Sequence, residues 1–411
     1  MKASHSLGQR SSFWVAAAVI VHTLWTSAAP AVTYPLYAAQ WHLTHTVTTA
    51  IFAVYPIAVV VALLLFGNLS DHIGRRTTIL LGLAASLLGV LLFAVAQSVA
   101  WVFVGRAFMG VGVGLSTSPA TAAMVEYSTG SSQRASFVTT AATGVGFALA
   151  TLVGGALIEY APYPMHLNFW VLFIVLIALF CTAWFLPRPA QGGVPPHWQP
   201  GDIAVPRSIA TAFLTSAIAV TAGYTHGAVL LSLGAQVARD LIGSANALMN
   251  GAAIAQFAIV ASIVSIFVKR MPPARAIALG GMASTIGMAM LMLSAARYSL
   301  PLFMTAIAIA GIAYSLLVLG GLALINAKAP AGRRAATLSA VYVIAYLMMG
   351  AVSLSLGVSA TTWGLETGID LGCSAVALLG LTAALLVVST GAAGDLFNFR
   401  KRHLQNCSDS A

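Results

Sequence analysis

Apolar residues run along this chain in blocks of about twenty, and short polar stretches separate them. Twelve blocks can be marked, near residues 13–37, 47–67, 77–97, 99–125, 135–158, 168–187, 207–234, 243–268, 276–296, 300–325, 338–359 and 371–392. A helix rises about 1.5 Å per residue, so about 20 residues cross the ~30 Å hydrocarbon core of a bilayer. Most blocks carry no polar stripe, so each helix is apolar on every side, as lipid or other apolar helices require. The pattern predicts an all-α membrane protein with twelve transmembrane helices.

Two features organise the blocks. Residues 188–206 hold Pro189, Pro195, Pro196, Pro200 and Pro206 with paired glycines, a composition that reads as an extended linker. It divides a first six-span unit, residues 1–187, from a second, residues 207–411, with a short basic tail. The halves also resemble each other at a displacement of about 200 residues, as expected of parallel six-helix repeats. Leu36-Tyr37-Ala38-Ala39-Gln40 lies over Leu233-Gly234-Ala235-Gln236, and a polar loop at 67–76 lies over Val268 to Arg275. Lys2, Arg10 and the apolar 13–24 loosely imitate a signal peptide; they are read here as part of the first span, which pairs with the seventh.

Composition agrees with this reading. The chain is 59% hydrophobic and 7% charged, with a mean hydropathy of +0.93, far too little charge to wet the surface of a soluble domain. The formal charge of +10 forms no continuous patch of the kind that binds nucleic acid. Of the nineteen lysines and arginines, all but Arg106, Arg239 and Arg297 fall on one side of the membrane when the spans are threaded alternately. By the positive-inside rule that side is the cytoplasm, and both termini are expected there. The three cysteines, Cys181, Cys373 and Cys407, have neither metal-ligand spacing nor an expected disulfide.

The polar loop Gly67-Asn68-Leu69-Ser70-Asp71-His72-Ile73-Gly74-Arg75-Arg76 joins the second and third spans. It resembles the signature loop of the major facilitator superfamily, glycine-x-leucine-x-aspartate-x-x-glycine-arginine-arginine, with His72 where a basic residue is usual. Arg106 with Gly110, Gly112 and Gly114 resembles that family's fourth-helix pattern. The resemblance implies two six-helix bundles around a central cavity, related by a pseudo-two-fold axis, that rock between outward- and inward-open states. It implies that Glu126 pairs with Arg75 or Arg76, that Asp71 meets the N-terminus of span eleven, and that both contacts hold the outward-open state. Gly67, Asp71, Gly74, Arg75, Arg76 and Glu126 are thus the expected gate. It also implies that Arg106 faces the cavity. The fifth span keeps Gly146 and Gly154 but has Ala150-Thr151 where the family's drug–proton antiporters carry glycine-proline. Small residues at these positions serve close helix packing in any case.

Candidate cavity residues follow from their place in the spans. His22 and Trp25 stand at helical spacing in the first, Tyr224 and His226 in the seventh, and Asn246 and Asn250 in the eighth. Tyr314, Tyr342 and Tyr346 lie in the tenth and eleventh. No carboxylate falls in the middle of a span, so His22 and His226 are the groups able to titrate at depth, and protons are a candidate coupling ion. Nothing suggests an enzyme, a metal or another cofactor. The expected function is secondary transport of a small organic solute by a monomer in the plasma (bacterial inner) membrane. With Arg106 as the one cavity charge, the solute is expected to be anionic or neutral and polar. The alternatives are a multidrug–proton antiporter exporting lipophilic compounds, and a receptor or scaffold that has kept the fold without transport.

Overall fold

The structure, a computed structural model, describes residues 7–128, 132–187, 205–330 and 333–389. The tail, the N-terminal Lys2 and all but Val205 and Pro206 of the expected linker lie outside them. Every regular element among the described residues is helical. The helices are α1 (Gln9–Ala28), α2 (Tyr34–Gln40), α3 (His45–Phe66), α4 (Leu69–Ile73), α5 (Arg75–Ala94), α6 (Val99–Tyr127) and α7 (Ser132–Tyr160). They continue with α8 (Leu167–Ala183), α9 (Ala210–Gln236), α10 (Ala247–Val268), α11 (Pro273–Ala296), α12 (Leu300–Lys328), α13 (Arg334–Trp363) and α14 (Leu365–Ser389).

Eleven spans are long and apolar enough to cross a membrane; the twelfth, α8, is apolar but 17 residues long. Helix is the only form that satisfies every backbone group of a lone segment in lipid, which is why each apolar block adopts it. The first span is broken. Pro30 opens a 3₁₀ turn at Ala29–Val32, and Pro35 sits in the first turn of α2, where its missing N–H costs nothing.

In the first half α6 packs on α1, α3 and α5, α1 also on α7, and α5 on α8. The second half repeats this: α12 packs on α9, α10 and α11, α9 also on α13, and α11 on α14. The halves meet along two seams, α7 on α10 and α3 on α13. Adding 202 to a residue of one seam gives its counterpart in the other. A Cβ on Gly155 would stand 2.6 Å from the Ala247 carbonyl oxygen, and one on Gly357 would stand 2.8 Å from that of His45. Gly251 lies against the Thr151 carbonyl, while Ser353 donates to the Thr49 carbonyl at 3.4 Å. The pseudo-two-fold expected from the sequence is thus present at the level of single contacts.

One end of the molecule carries Arg75, Arg76, Arg134, Arg207, Lys269, Arg270, Arg275, Lys328, Arg333 and Arg334 and is called the basic end below. At the other end the 3₁₀ turn and α2 press against α9, whose residues from Thr215 to Ala238 are buried almost without interruption.

Candidate transport cavity and gates

The gate loop is two helix ends and a pivot. α3 stops at Phe66, α4 makes one turn, and α5 begins at Arg75. Gly74 between them has φ 85°, ψ 150°, a conformation that a Cβ resists, so glycine is required there. Gly67 has an ordinary helical φ of −56°, so only one of the two expected glycines is used for its backbone freedom. Arg75 donates to Glu126 at the end of α6, an ion pair that is half-exposed, with side chains 36% and 54% accessible. Arg76 lies over the Trp184 ring at 5.5 Å, beyond the end of α8. Asp71 lies in the single turn of α4, and its carboxylate makes no hydrogen bond or ion pair among the described residues. In this conformation the loop is tied to its own half, and the expected contact of Asp71 with span eleven is not made.

Arg106 is 1% exposed and neither lines open space nor reaches a surface. Its Nη1 donates to the Ser27 carbonyl of α1 at 2.8 Å. Its guanidinium lies over the rings of Tyr55 at 4.5 Å and Phe52 at 5.6 Å, both on α3. Nε has no hydrogen-bond partner. The arginine therefore clamps α1, α3 and α6 together inside the first bundle. The expectation of an arginine on the cavity wall fails here because a carbonyl and two aromatic faces within the bundle supply the shelter a cation needs in lipid.

Both histidines are buried too. His22 is buried against α5: its Nδ1 lies 2.6 Å from the Val19 carbonyl, which can only accept, so Nδ1 carries the proton. Its Nε2 then accepts from the Ser86 hydroxyl at 3.2 Å. His226 bonds the Ala222 carbonyl at 2.7 Å through Nδ1, and its Nε2 has no partner. Trp25 is buried with its Nε1 unpaired.

The tyrosines come together. Tyr224 stacks on Tyr314 with centroids 6.3 Å apart, meets Tyr346 edge-on at 5.0 Å and lies 6.4 Å from Tyr342. Tyr314 meets Phe257 at 5.3 Å, and Phe257 meets Phe147 of the first half at 6.0 Å. Tyr346 also packs beside Tyr55. All four tyrosines of the cluster are partly exposed. Because α9 is enclosed by its neighbours, a partly exposed tyrosine on it faces internal space and not lipid. Gly227, one turn further on, is buried, yet a Cβ built on it would have no atom within 4 Å. Tyr55, Phe147 and Phe257 were not singled out from the sequence. The internal repeat could have found two of them, since Tyr55 and Phe257 occupy matching places on α3 and α10.

Asn246 and Asn250 lie at the end opposite the basic one and not in the wall. Asn246 caps α10, accepting from Met249 N at 2.9 Å and donating to Tyr160 Oη at 3.3 Å; Asn250 donates to the Ser244 carbonyl at 3.0 Å. The same end holds a set of contacts between the halves. Glu159 on α7 accepts from Ala247 N, the first residue of α10, at 2.7 Å. Thr361 on α13 accepts from Thr46 N in the first turn of α3 at 2.9 Å. Arg239 donates to the Pro35 carbonyl at 3.2 Å, and His45 lies 3.4 Å from Gln236. This end is closed.

The small residues serve close approach. A Cβ on Gly110 or Gly114 would fall 2.7 Å from Ala58 or Ala62 of α3, whereas one on Gly112 would stand 2.6 Å from the Gly82 carbonyl of α5. α6 therefore has two glycine faces, one for each neighbour. Gly146 lies against the Val21 carbonyl of α1, and Gly154 against Val32 and Asn168.

The sequence profile of the Major Facilitator Superfamily matches residues 14–353. This chain belongs to that superfamily. Solved structures agree at the level of fold. A peptide transporter POT in complex with sulfate is 17% identical with a TM-score of 0.74, covering 95% of this chain and 96% of that one. A bacterial homolog of the human lysosomal transporter Spinster, inward-facing and unoccupied, is 14% identical with a TM-score of 0.67, covering 94% and 97%. Among curated proteins, the multidrug efflux protein YfmO of Bacillus subtilis (strain 168) is 31% identical over 158 residues, 38% of this chain and 40% of that protein. The match thus spans about two-fifths of the relative's length. Members of that superfamily are multi-pass membrane transporters, in keeping with the apolar helices described above.

Proposed function

We propose that this major facilitator is a secondary transporter of uncharged, ring-bearing small organic solutes, held at the tyrosine cluster. The observation that carries the reading is a contrast in exposure: Tyr224, Tyr314, Tyr342 and Tyr346 face internal space, while Arg106 is sealed behind Tyr55 and Phe52. The preference for anions expected from the sequence needed that arginine on the wall, and its enclosure removes the reason. What stays is an aromatic wall with hydroxyl groups, suited to stacking and to a few hydrogen bonds. The partial match to a multidrug efflux protein supports a lipophilic solute and outward transport. The basic end is the cytoplasmic side by the positive-inside rule, so we read the conformation as inward-open, with the outer end closed and the Asp71 latch released. The Arg75–Glu126 pair, expected to hold the outward-open state, stays formed and so is not the contact that breaks. Coupling does not run through His22, whose two ring nitrogens are engaged inside the bundle.

The test is a matched series of neutral, cationic and anionic aromatic compounds, assayed for binding to the purified protein and for transport in proteoliposomes. Neutral aromatics are expected to bind, and Tyr224→Ala is expected to weaken them about tenfold, roughly the loss of one stacked and one edge-on ring contact. Binding that prefers anions and falls selectively in Arg106→Gln defeats the proposal.

A further inference from the structure

The turn between α10 and α11 at the basic end forms a half-open pocket of about 340 Å³, lined by Lys269, Arg270, Met271, Pro272 and Arg275. It occupies the place that the gate loop holds in the first half, but its charges are not balanced in the same way. There, the loop has Asp71, and Arg75 is paired with Glu126 at the end of α6. Here, the turn has no carboxylate, and the corresponding end of α12 carries Lys328. Among the described residues of the second half, the carboxylates are Asp240, Glu366 and Asp370, all at the opposite end. Lys269 and Arg270 form no ion pair among the described residues. The first turn of α11 adds the partial positive charge of a helix N-terminus.

The cavity also borders the lipid-facing surface. Ile263, Ile266 and Phe267 on α10 are 53%, 44% and 65% exposed, and Leu279, Met282 and Ile286 on α11 are 46%, 58% and 52% exposed. An anion that carries two acyl chains can seat its charge among the cations and lay its chains on these two faces. A free anion would use only the first.

We propose that this cavity binds the phosphate of an anionic phospholipid from the adjoining leaflet. The site bears on transport through Lys269. Its Nζ donates across the seam to Ser136 of α7, 3.0 Å to Oγ and 3.4 Å to the carbonyl, and to Thr140 Oγ1 at 3.3 Å. A lipid phosphate competes with these neutral acceptors for the same ammonium, and a charged acceptor makes the stronger bond. Occupancy therefore loosens the basic end of the α7–α10 seam, one of the two along which the halves rock.

The experiment uses the full-length protein purified in detergent, with lipid binding counted by native mass spectrometry and followed by thermal shift. Phosphatidylglycerol is compared with phosphatidylcholine of the same chains, with dioctanoyl phosphatidylglycerol and with inorganic phosphate. Phosphatidylglycerol is expected to stay bound and to raise the melting temperature, with at least tenfold weaker binding in Lys269→Gln/Arg270→Gln. Arg297→Gln, at the opposite end, is expected to bind as the native protein does. Should Arg275→Gln fail to fold, the Lys269 and Arg270 pair still decides the matter. Equal retention of phosphatidylcholine, equal loss in Arg297→Gln, or full protection by inorganic phosphate would each overturn the proposal.

Discussion

Glu159 is, among the described residues, the one carboxylate that joins the two halves at the closed end, and its removal should shift the transport equilibrium without unfolding the protein. Its carboxylate accepts the Ala247 N–H at 2.7 Å, at the positive end of α10. A hydrogen bond to a charged group contributes about 1.5–3 kcal/mol when sheltered. Glu159 is exposed, so water replaces much of that when the contact opens, and about 1 kcal/mol remains, the usual size of a carboxylate at an exposed helix N-terminus. Asn246 still caps α10 through Met249 N, so the helix keeps its start in Glu159→Ala. The loss falls on the closed end alone, and about 1 kcal/mol changes the ratio of open to closed about fivefold. Spin labels at Tyr163 and Tyr298, exposed positions of the two halves at that end, report the separation by pulsed distance measurement in a Cys181→Ser, Cys407→Ser background. The longer distance should gain weight about fivefold in Glu159→Ala and less in Glu159→Gln, which keeps an acceptor. An unchanged distance distribution in Glu159→Ala would refute the latch.

Three further outcomes are expected. Gly74→Ala forces a Cβ into φ 85° and should lower the melting temperature by the equivalent of about 1–2 kcal/mol, together with transport; an unaltered protein would mean that the turn relaxes freely. The double variant His22→Gln/His226→Gln should keep the pH profile of transport while losing stability, since His22 bonds Val19 and Ser86 within its bundle; a flattened profile would return the histidines to proton coupling. Arg106→Leu should cost about 1–3 kcal/mol in stability, because the Ser27 carbonyl loses its donor and Tyr55 its cation, and should leave the ratio of neutral to anionic solute binding as it was; a selective loss of anions would place the guanidinium at the solute.

The spans, their number and the repeat were legible in the sequence because lipid imposes a length and an apolar composition on every crossing helix. The turn of the 67–76 loop was legible because it needs a glycine at Gly74, and its Arg75 finds a partner in Glu126. What could not be read was direction around the helix axis. A helix that is apolar on all sides carries no periodic signal to say which face meets lipid, which its own bundle and which the centre. Arg106 was therefore assigned to the wall by the family resemblance and His22 and His226 by their place in the spans, although backbone carbonyls, and for Arg106 aromatic rings, of their own bundle hold them. Asn246 and Asn250 were misplaced along the axis, since α10 begins only at Ala247 and both serve its start.

The departures from internal symmetry are where the two halves differ in chemistry. The seams repeat contact for contact, with Gly155 and Gly357 closing on the carbonyls of Ala247 and His45. Packing therefore offers no preference for one half over the other. The charges do. Glu159 latches one seam with a carboxylate where Thr361 latches the other with a neutral hydroxyl. Arg106 braces α6 beside Gly110, whereas Ile307 holds the matching place on α12 beside Gly311. The first gate loop pairs Arg75 with Glu126, whereas Lys269 and Arg270 of the second form no ion pair among the described residues. A symmetric scaffold lets both seams flex at similar cost, and an asymmetric set of charges then decides which end each ligand, lipid or ion can bias. On this view the electrostatics of the first half set the gate, and the second half supplies the aromatic surface through Tyr224, Tyr314, Tyr342 and Tyr346. Exchanging Glu159 and Thr361 between the seams should then move the sensitivity to the latch from α7–α10 to α3–α13 while leaving solute preference untouched.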